Sequence, residues 1–293
     1  MRLIVTRLTG GLGNQMFQFA AGYALSLRRG VPLELDISSY ARDELRVYEL
    51  ATFDLPAKVA GPATLQRIPK KARGFEKLVN RFAPSAPVDA IPIYREPHFE
   101  FDRKVLDLPA PHALYGYWQT ERYFEDVREK VRLAFTPALP PEPANVAVLE
   151  AIRQAEMPVS LHVRRGDYVS DPSASAIHGT CSLEYYRAAM ASIVSQTQNA
   201  HFFAFSDDAS WTQANLGSDS PITYVAANAP SRGYRDMQLM SACRHHIIAN
   251  SSFSWWGAWL NNQHDKRVIA PAMWFTQSNK NPKDLLPISW ERL

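Results

Sequence analysis

The sequence predicts an α/β protein of two units, each built on a parallel sheet. Three observations carry that expectation. Apolar strand-like runs alternate with helical patterns along much of the chain, the order that produces parallel sheets. The first strand runs directly into a glycine-rich turn and a helix, Thr9-Gly10-Gly11-Leu12-Gly13-Asn14. Near mid-chain, Pro137-Ala138-Leu139-Pro140-Pro141-Glu142-Pro143 sets four prolines in seven residues, which can form neither a helix nor a central strand. A stiff extended linker is implied there. It divides an N-terminal domain, residues 1–140, from a C-terminal domain, residues 145–293, whose last helix is expected to pack back on the first.

The elements follow in order. Leu3-Ile4-Val5 opens as a strand. Phe17, Ala20, Ala21, Ala24 and Leu27 then share one face of a helix. Arg28-Arg29-Gly30 closes it, with cations in the last turn and glycine as the stop. Val31, Leu33, Leu35 and Ile37 alternate as a second strand, completing a βαβ unit. Residues 40–135 show weaker periodicity and are expected to hold several helices; a second proline-rich stretch, 84–97, lies among them. The C-terminal half alternates clearly. Strands are expected at Val159-Leu161-Val163, His201–Phe205, Ile222–Val225, His246–Ala249 and, last, Arg267–Ala270. Helices are expected at 183–196, from Ser231 as cap to about Cys243, and from Phe253 to Leu260. Ligands of such sheets bind outside the carboxyl ends of the strands, and those ends carry the most unusual residues of this chain.

Composition sets the frame. Of 293 residues, 46% are apolar and 21% charged, enough to bury a core and unlike a disordered chain. The net charge of +3 gives no footprint for nucleic acid. Two distant cysteines, Cys181 and Cys243, are not a disulfide framework and point to a reducing compartment. The sequence reads as having neither a signal peptide nor a run of ~18 apolar residues. The expectation is a cytoplasmic protein.

Four segments could carry chemistry. In His162-Val163-Arg164-Arg165-Gly166-Asp167-Tyr168 the alternation of a strand puts His162 and Arg164 on one face. Two arginines at a strand end suit an anion, since Arg stays charged and binds phosphate bidentately; equally, they suit a turn paired with nearby carboxylates. Ser206-Asp207-Asp208 could bind a metal, a ribose or a base edge, or simply cap a helix. In Asn250-Ser251-Ser252-Phe253-Ser254-Trp255-Trp256-Gly257-Ala258-Trp259 a hydroxyl-rich turn opens a helix, whose free N–H groups attract anions. Its three tryptophans fit a packed core helix better than a ligand platform. Gly10-Gly11-Leu12-Gly13-Asn14-Gln15 resembles the start of a dinucleotide fingerprint, with Glu34 and Asp36 about 20 residues on. Met16 stands where that pattern wants a small residue, so the match is weak. There is no phosphate-loop lysine motif, no His-Glu-x-x-His, no Asp-x-Asp and no Gly-x-Ser-x-Gly. A diphosphate would therefore be met by Arg and helix N-termini rather than by a dedicated metal.

Together these segments resemble the bacterial α-1,2-fucosyltransferases of glycosyltransferase family 11. The matching stretches are Gly10 to Gln18, Gly116-Tyr117-Trp118-Gln119, His162 to Tyr168, Phe205 to Asp208, and Met240-Ser241-Ala242-Cys243 through Asn250 to Leu260. They run in family order across nearly the whole chain. The resemblance implies a GT-B architecture, two Rossmann-like domains facing across a cleft, with the nucleotide sugar on the C-terminal domain. It implies a galactoside 2-alpha-L-fucosyltransferase: inverting transfer of L-fucose from GDP-β-L-fucose to the 2-hydroxyl of a terminal β-galactoside, with no cofactor and no obligatory metal. By the same resemblance Arg164 contacts the diphosphate, His162 and Asp208 address guanine, and Ser251 and Ser252 sit against the phosphates. Gly11, Gly13 and Asn14 are expected near the nucleotide sugar, and Tyr117, Trp118 and Gln119 near the acceptor. Arg164 and Asp167 are the expected catalytic pair. Asp167 is the candidate base, with Asp171 second; an acid beside two arginines has a lowered pKa and is a poor base, so orienting Arg164 is its alternative role. The rival readings are a transferase of other acceptor or linkage, an NAD-linked oxidoreductase using Gly10 to Asn14, and a non-enzymatic sugar-binding protein using Trp255, Trp256, Tyr117 and Trp118. No membrane span is expected, though work at the periphery of membrane-linked glycan assembly is compatible with the sequence.

Overall fold

In the computed structural model the described residues are 2–43, 45–69, 89–276 and 281–293. Pro84 and Pro87 of the first proline-rich stretch lie outside them. The chain divides into two compact units, Met1–Thr136 and Pro137–Leu293.

The first unit carries a five-stranded, all-parallel sheet: β1 (Ile4–Arg7), β2 (Leu33–Asp36), β3 (Lys58–Val59), β4 (Ile93–Arg95) and β5 (His112–Tyr115), in the order β3-β2-β1-β5-β4. From β1 the chain builds outward through β2 and β3, then fills the other side with β4 and β5. The direction reverses between β1 and β5. Helix α1 (Leu12–Arg29) covers β1 and buries Met16, Phe17, Ala20, Ala21 and Ala24. Gly30 ends it in the left-handed region at φ 61°. The two terminal arginines bind neighbouring loops: Arg28 pairs with Asp126, and Arg29 donates to Leu106 O and Leu108 O at 2.9 and 2.7 Å. The close helix–strand approach that Met16 cannot provide is supplied by Gly22, where a Cβ would stand 1.9 Å from Thr6 Oγ1.

The described part of residues 40–135 contributes three of the five strands, besides short helices at Pro62–Arg67, Lys104–Asp107 and Arg128–Ala134. Strands of two to four residues are too short to show alternation, and both residues of β3 are exposed.

The second unit holds a six-stranded parallel sheet: β6 (Met157–Val163), β7 (Ala200–Ser206), β8 (Ile222–Val225), β9 (His245–Ile247), β10 (Val268–Ala270) and β11 (Glu291–Arg292), ordered β11-β10-β9-β6-β7-β8. This is the doubly wound order, and its reversal lies between β6 and β9. The long apolar strands are covered on both faces, as parallel sheets require. Val159, Leu161 and Val163 pack on Tyr186, Ala189 and Ile193 of the Leu183–Val194 helix. Phe203 and Phe205 pack on Leu239 and Met240 of the Gly233–Ala242 helix.

Two local expectations are corrected. Ser231 does not cap the Gly233–Ala242 helix: Pro230 opens a single 3-10 turn, and Arg232 stands at the cap without a side-chain bond. Arg267–Ala270 is not the last strand, because two-residue β11 adds to β10 through a register too short to read from sequence. The last described helix, Ser252–Leu260, packs on Gly233–Ala242. There Gly257 leaves room for Met240, whose Cε would be 2.7 Å from a Cβ.

The tryptophans are core. Trp255 and Trp256 are fully buried, and the Trp255 indole donates to Leu285 O at 2.9 Å. The proline-rich run is pinned to the second unit by the fully buried Arg235, which donates to Leu139 O and Pro140 O at 3.0 and 2.6 Å and pairs with Glu142 at 2.9 Å. Cys181 and Cys243 are free thiols. Among the described residues, no helix is long and apolar enough to cross a membrane.

Candidate functional site

The carboxyl edge of the second sheet brings Arg164, Arg165, Asp207 and Asp208 together. Strands β6 and β7 pair with Val163 opposite Ser206. One further step sets Arg164 opposite Asp207, and the next sets Arg165 opposite Asp208. Both pairs form: Arg164 Nη1 lies 2.7 Å from Asp207 Oδ2, and Arg165 Nε lies 3.2 Å from Asp208 Oδ2. Asp207 also accepts the Arg165 backbone N–H at 2.9 Å, so one carboxylate fixes both the turn and the arginine it presents. That requires Gly166, where a Cβ would stand 2.4 Å from Asp207 Oδ2.

Each arginine also lies against an aromatic ring. Arg165 sits 3.7 Å above the Trp211 centroid, and Arg164 is 5.3 Å from that of Tyr168. Tyr168 donates to Asn250 O at 3.2 Å, which ties the β6 turn to the segment after β9. The switch point of the sheet is therefore framed by Arg164 on one side and Asn250-Ser251 on the other.

Asp208 caps the Ala209–Asn215 helix, accepting from the Trp211 N–H at 3.1 Å. Both its oxygens are engaged, so its helix-cap role is realised here. A guanine contact would have to share those oxygens. Asp167 is the second residue of the Gly166–Ser170 helix; its side chain lies outside the described part of the structure.

His162 shares the Arg164 face, and its ring lies 5.4 Å from that of Phe253. It is 5% exposed, and its Nδ1 is buried without a hydrogen-bond partner. Such an orphaned atom costs about 1–3 kcal/mol, a cost that a ligand contact would relieve. Burial pushes the His162 pKa down to about 4, against the opposing pull of Asp207 and with the help of Arg164. The imidazole is neutral at pH 7. The folded pKa is depressed below the unfolded value of ~6.5. The stability it contributes is therefore present above pH ~6.5 and is lost as pH falls from there towards 4. The urea midpoint of a His162→Gln variant is expected to fall less between pH 7 and pH 5 than that of the parent chain. Parallel pH profiles for the two would contradict this.

Ser251 is the N-cap of the Ser252–Leu260 helix; its hydroxyl accepts from the Phe253 N–H at 3.3 Å. Asn250 is fixed by contacts from its amide to Gly179 O and Trp274 O, each at 3.3 Å. This nine-residue helix directs its amino end to the β6/β9 switch point, on the side where Ser252 is half-buried.

The first-unit candidates lie at the edge of their own sheet. Gly10 has φ +76°, which a side chain would strain. The start of α1 is already occupied: the Glu49 carboxylate accepts from the Leu12 N–H, and burial raises its pKa. A Cβ at Gly11 would stand 3.6 Å from Arg46 Nη1 and 4.0 Å from Glu49 Oε2, so a ligand there would meet a cation and a carboxylate together. The Asn14 side-chain oxygen accepts from Gln119 at 2.7 Å, and Gln15 bridges Gly10 O, Val47 O and the Glu49 N–H at 2.9, 2.8 and 2.9 Å. Of the acceptor candidates, Tyr117 is exposed, Gln119 is buried, and Trp118 is fully buried. Trp118 has φ 57°, and Glu96 holds the turn by accepting from the Tyr117 and Trp118 N–H groups at 2.7 and 2.9 Å. That backbone turn sends the Trp118 indole inward, against Tyr123. Trp118 is thus a packing residue here and offers an acceptor no surface.

Asp207, Gly166 and Asn250 lie in the candidate segments, but the resemblance singles out only Asp208 of the two acids and gives Gly166 and Asn250 no role. The signal for Asp207 was the strand register: two arginines after one apolar strand face two aspartates after its neighbour.

The family model of glycosyl transferase family 11 matches residues 93–292. An alpha-1,2-colitosyltransferase of Escherichia coli is 36% identical, over all of this chain and 99% of its own length. The human galactoside alpha-(1,2)-fucosyltransferase 1 is 27% identical, over 86% of this chain and 63% of its own. Among solved structures, the fucosyltransferase NodZ from Bradyrhizobium superposes with a TM-score of 0.50 at 14% identity, covering 87% of this chain and 91% of its own. That likeness shows the fold, an α/β chain of two Rossmann-like units of the GT-B class. By the family match and the full-length relative, the chain belongs to glycosyl transferase family 11.

Proposed function

We propose that the chain transfers L-fucose from GDP-β-L-fucose to the 2-hydroxyl of a terminal β-galactoside, with inversion, giving an α-1,2 linkage. One observation carries the donor half of this reading. Arg164, locked by Asp207, stands at the switch point of the second sheet beside a buried imidazole with an unsatisfied nitrogen. A guanidinium carries five N–H donors in a planar fork, the geometry that suits a diphosphate. Two α-1,2-transferring relatives support the linkage.

In this reading His162 and Asp208 address the guanine. Arg164, the Ser251 and Ser252 turn and the N–H groups of the Ser252–Leu260 helix hold the diphosphate. As the sugar C1–O bond breaks, charge grows on the β-phosphate. Fixed donors stabilise that charge more in the transition state than in the ground state. The sugar carbon develops oxocarbenium character, so the acceptor hydroxyl loses its proton late. Asp167 is our candidate for receiving it, or for orienting Arg164. Charge neutralisation by Arg and helix termini leaves no step that requires a metal ion. Two free thiols fit a reducing compartment such as the cytoplasm.

A second donor is favoured by a specific observation: the 36% identical relative is named for colitose transfer. Colitose lacks one hydroxyl of fucose, so discrimination rests on few contacts. The test is GDP release from GDP-fucose and GDP-colitose, each offered with lactose, lacto-N-biose, N-acetyllactosamine or galactose, with and without EDTA. Release dependent on a galactoside and unaffected by EDTA is expected, with fucose the faster donor. Faster transfer of colitose would replace the donor assignment. Complete loss in EDTA, restored by Mg²⁺, would overturn the metal-free mechanism.

A further inference from the structure

The carboxyl edge of the first sheet carries a row of side chains that the donor chemistry leaves unused. Registers between neighbouring strands set Arg7 opposite Asp36 and Arg95 opposite Tyr115. Thr6 is opposite Leu114, so the next step sets Arg7 opposite Tyr115. Asp36, Arg7, Tyr115 and Arg95 thus form one line across β2, β1, β5 and β4, on one face and at the last residue of each strand. The reversal of the sheet falls between β1 and β5, between Arg7 and Tyr115. Ligands of open α/β sheets bind at such a point.

Contacts within the row match the register. The Arg7 guanidinium lies 5.1 Å from the Tyr115 ring centroid, and that of Arg95 lies 5.0 Å from it on the neighbouring strand. Tyr115 donates to Asp36 Oδ2 at 3.3 Å. Asp36 is almost fully buried, whereas Arg95 is exposed. Arg7 is half-buried, and its Nε is buried with no hydrogen-bond partner. Among the described residues, neither arginine is in an ion pair. Two cations thus share one ring, against one carboxylate that Tyr115 already engages. The row holds a net positive charge and one unsatisfied buried donor, Arg7 Nε. Arg95 also adjoins Glu96, which fixes the turn presenting the exposed Tyr117.

We propose that Arg7, Tyr115 and Arg95 form a subsite for an oxyanion carried by the acceptor saccharide, a sugar carboxylate or a phosphate ester. The proposal rests on the transferase reading above and on the resemblance that sets Tyr117 near the acceptor. Guanidinium pairs bind both groups bidentately. Tyr115 holds the two side chains in place, and the exposed Tyr117 offers an aromatic face to the neighbouring sugar.

The experiment uses the full chain and reads binding by calorimetry, independently of turnover. Three probes are titrated: a neutral β-galactoside disaccharide, its counterpart with a uronic acid, and its counterpart with a phosphate monoester. At least one acidic probe is expected to bind about tenfold more tightly than the neutral one, since charge-assisted hydrogen bonds are the strong ones. The stronger acidic arm identifies the source of the oxyanion. Arg95→Gln, on an exposed side chain, should abolish that preference while leaving neutral binding and GDP binding unchanged. Equal affinity for all three probes, no measurable binding of any, or an equal loss across probes in Arg95→Gln would overturn the subsite. GDP titrated on the same sample separates the two claims. Acidic preference without GDP binding retains the subsite and removes the donor assignment. GDP binding without acidic preference does the reverse.

Discussion

Replacing Arg164 with alanine is expected to lower kcat/KM for sugar transfer by about 10²–10³-fold, the usual cost of removing one fixed donor from a developing anion. The fold should survive. Arg164 lies beyond the end of β6 rather than in its core, and its Asp207 partner remains 26% exposed, so water can solvate it once the arginine is gone. Arg164→Lys should recover little, because a single ammonium cannot both hold Asp207 and address a diphosphate through a planar fork. Steady-state GDP release with thermal unfolding on the same samples checks this. Full turnover in a folded Arg164→Ala chain would remove the phosphate role.

The second large effect is expected at a residue with no functional group. In Gly166→Ala the new methyl would stand 2.4 Å from Asp207 Oδ2 and 3.1 Å from its Cγ. Asp207 must then move, releasing both Arg164 and the Arg165 N–H. Overpacking of this kind costs about 1–3 kcal/mol, and displacing Arg164 should lower kcat/KM by about 10²-fold. Gly217→Ala is the control, because a Cβ there meets nothing within 4 Å. Wild-type activity in Gly166→Ala would show that the Asp207 clamp does not govern Arg164.

The second unit was largely legible in the sequence. Strands β6 and β7 are seven residues long, buried on both faces, and so read as apolar runs with polar groups clustered at their ends. The helix after β9 is declared by its serine turn, and its tryptophans were correctly weighed as core. The first unit was not legible beyond β1, α1 and β2. Its remaining strands are two to four residues long, and the pairing partners that make them strands are distant in sequence. The separate role of Asp207 was not legible for a related reason. Two adjacent carboxylates look alike until the β6–β7 register shows which faces which arginine. Trp118 was misread because its direction depends on a positive φ held by Glu96, a contact 22 residues away in the chain. Glu49 at the start of α1 is another distant partner that no local pattern announces.

We propose that a GDP-sugar diphosphate is held by Arg164 at the β6/β9 switch point. Titration of GDP, ADP and UDP into the full chain in EDTA, with and without Arg164→Ala, tests it most directly. GDP is expected to bind in preference to ADP and UDP without any divalent ion, and to weaken by about 10²-fold in the variant. GDP affinity unchanged by Arg164→Ala, or no preference for guanine, would contradict the account.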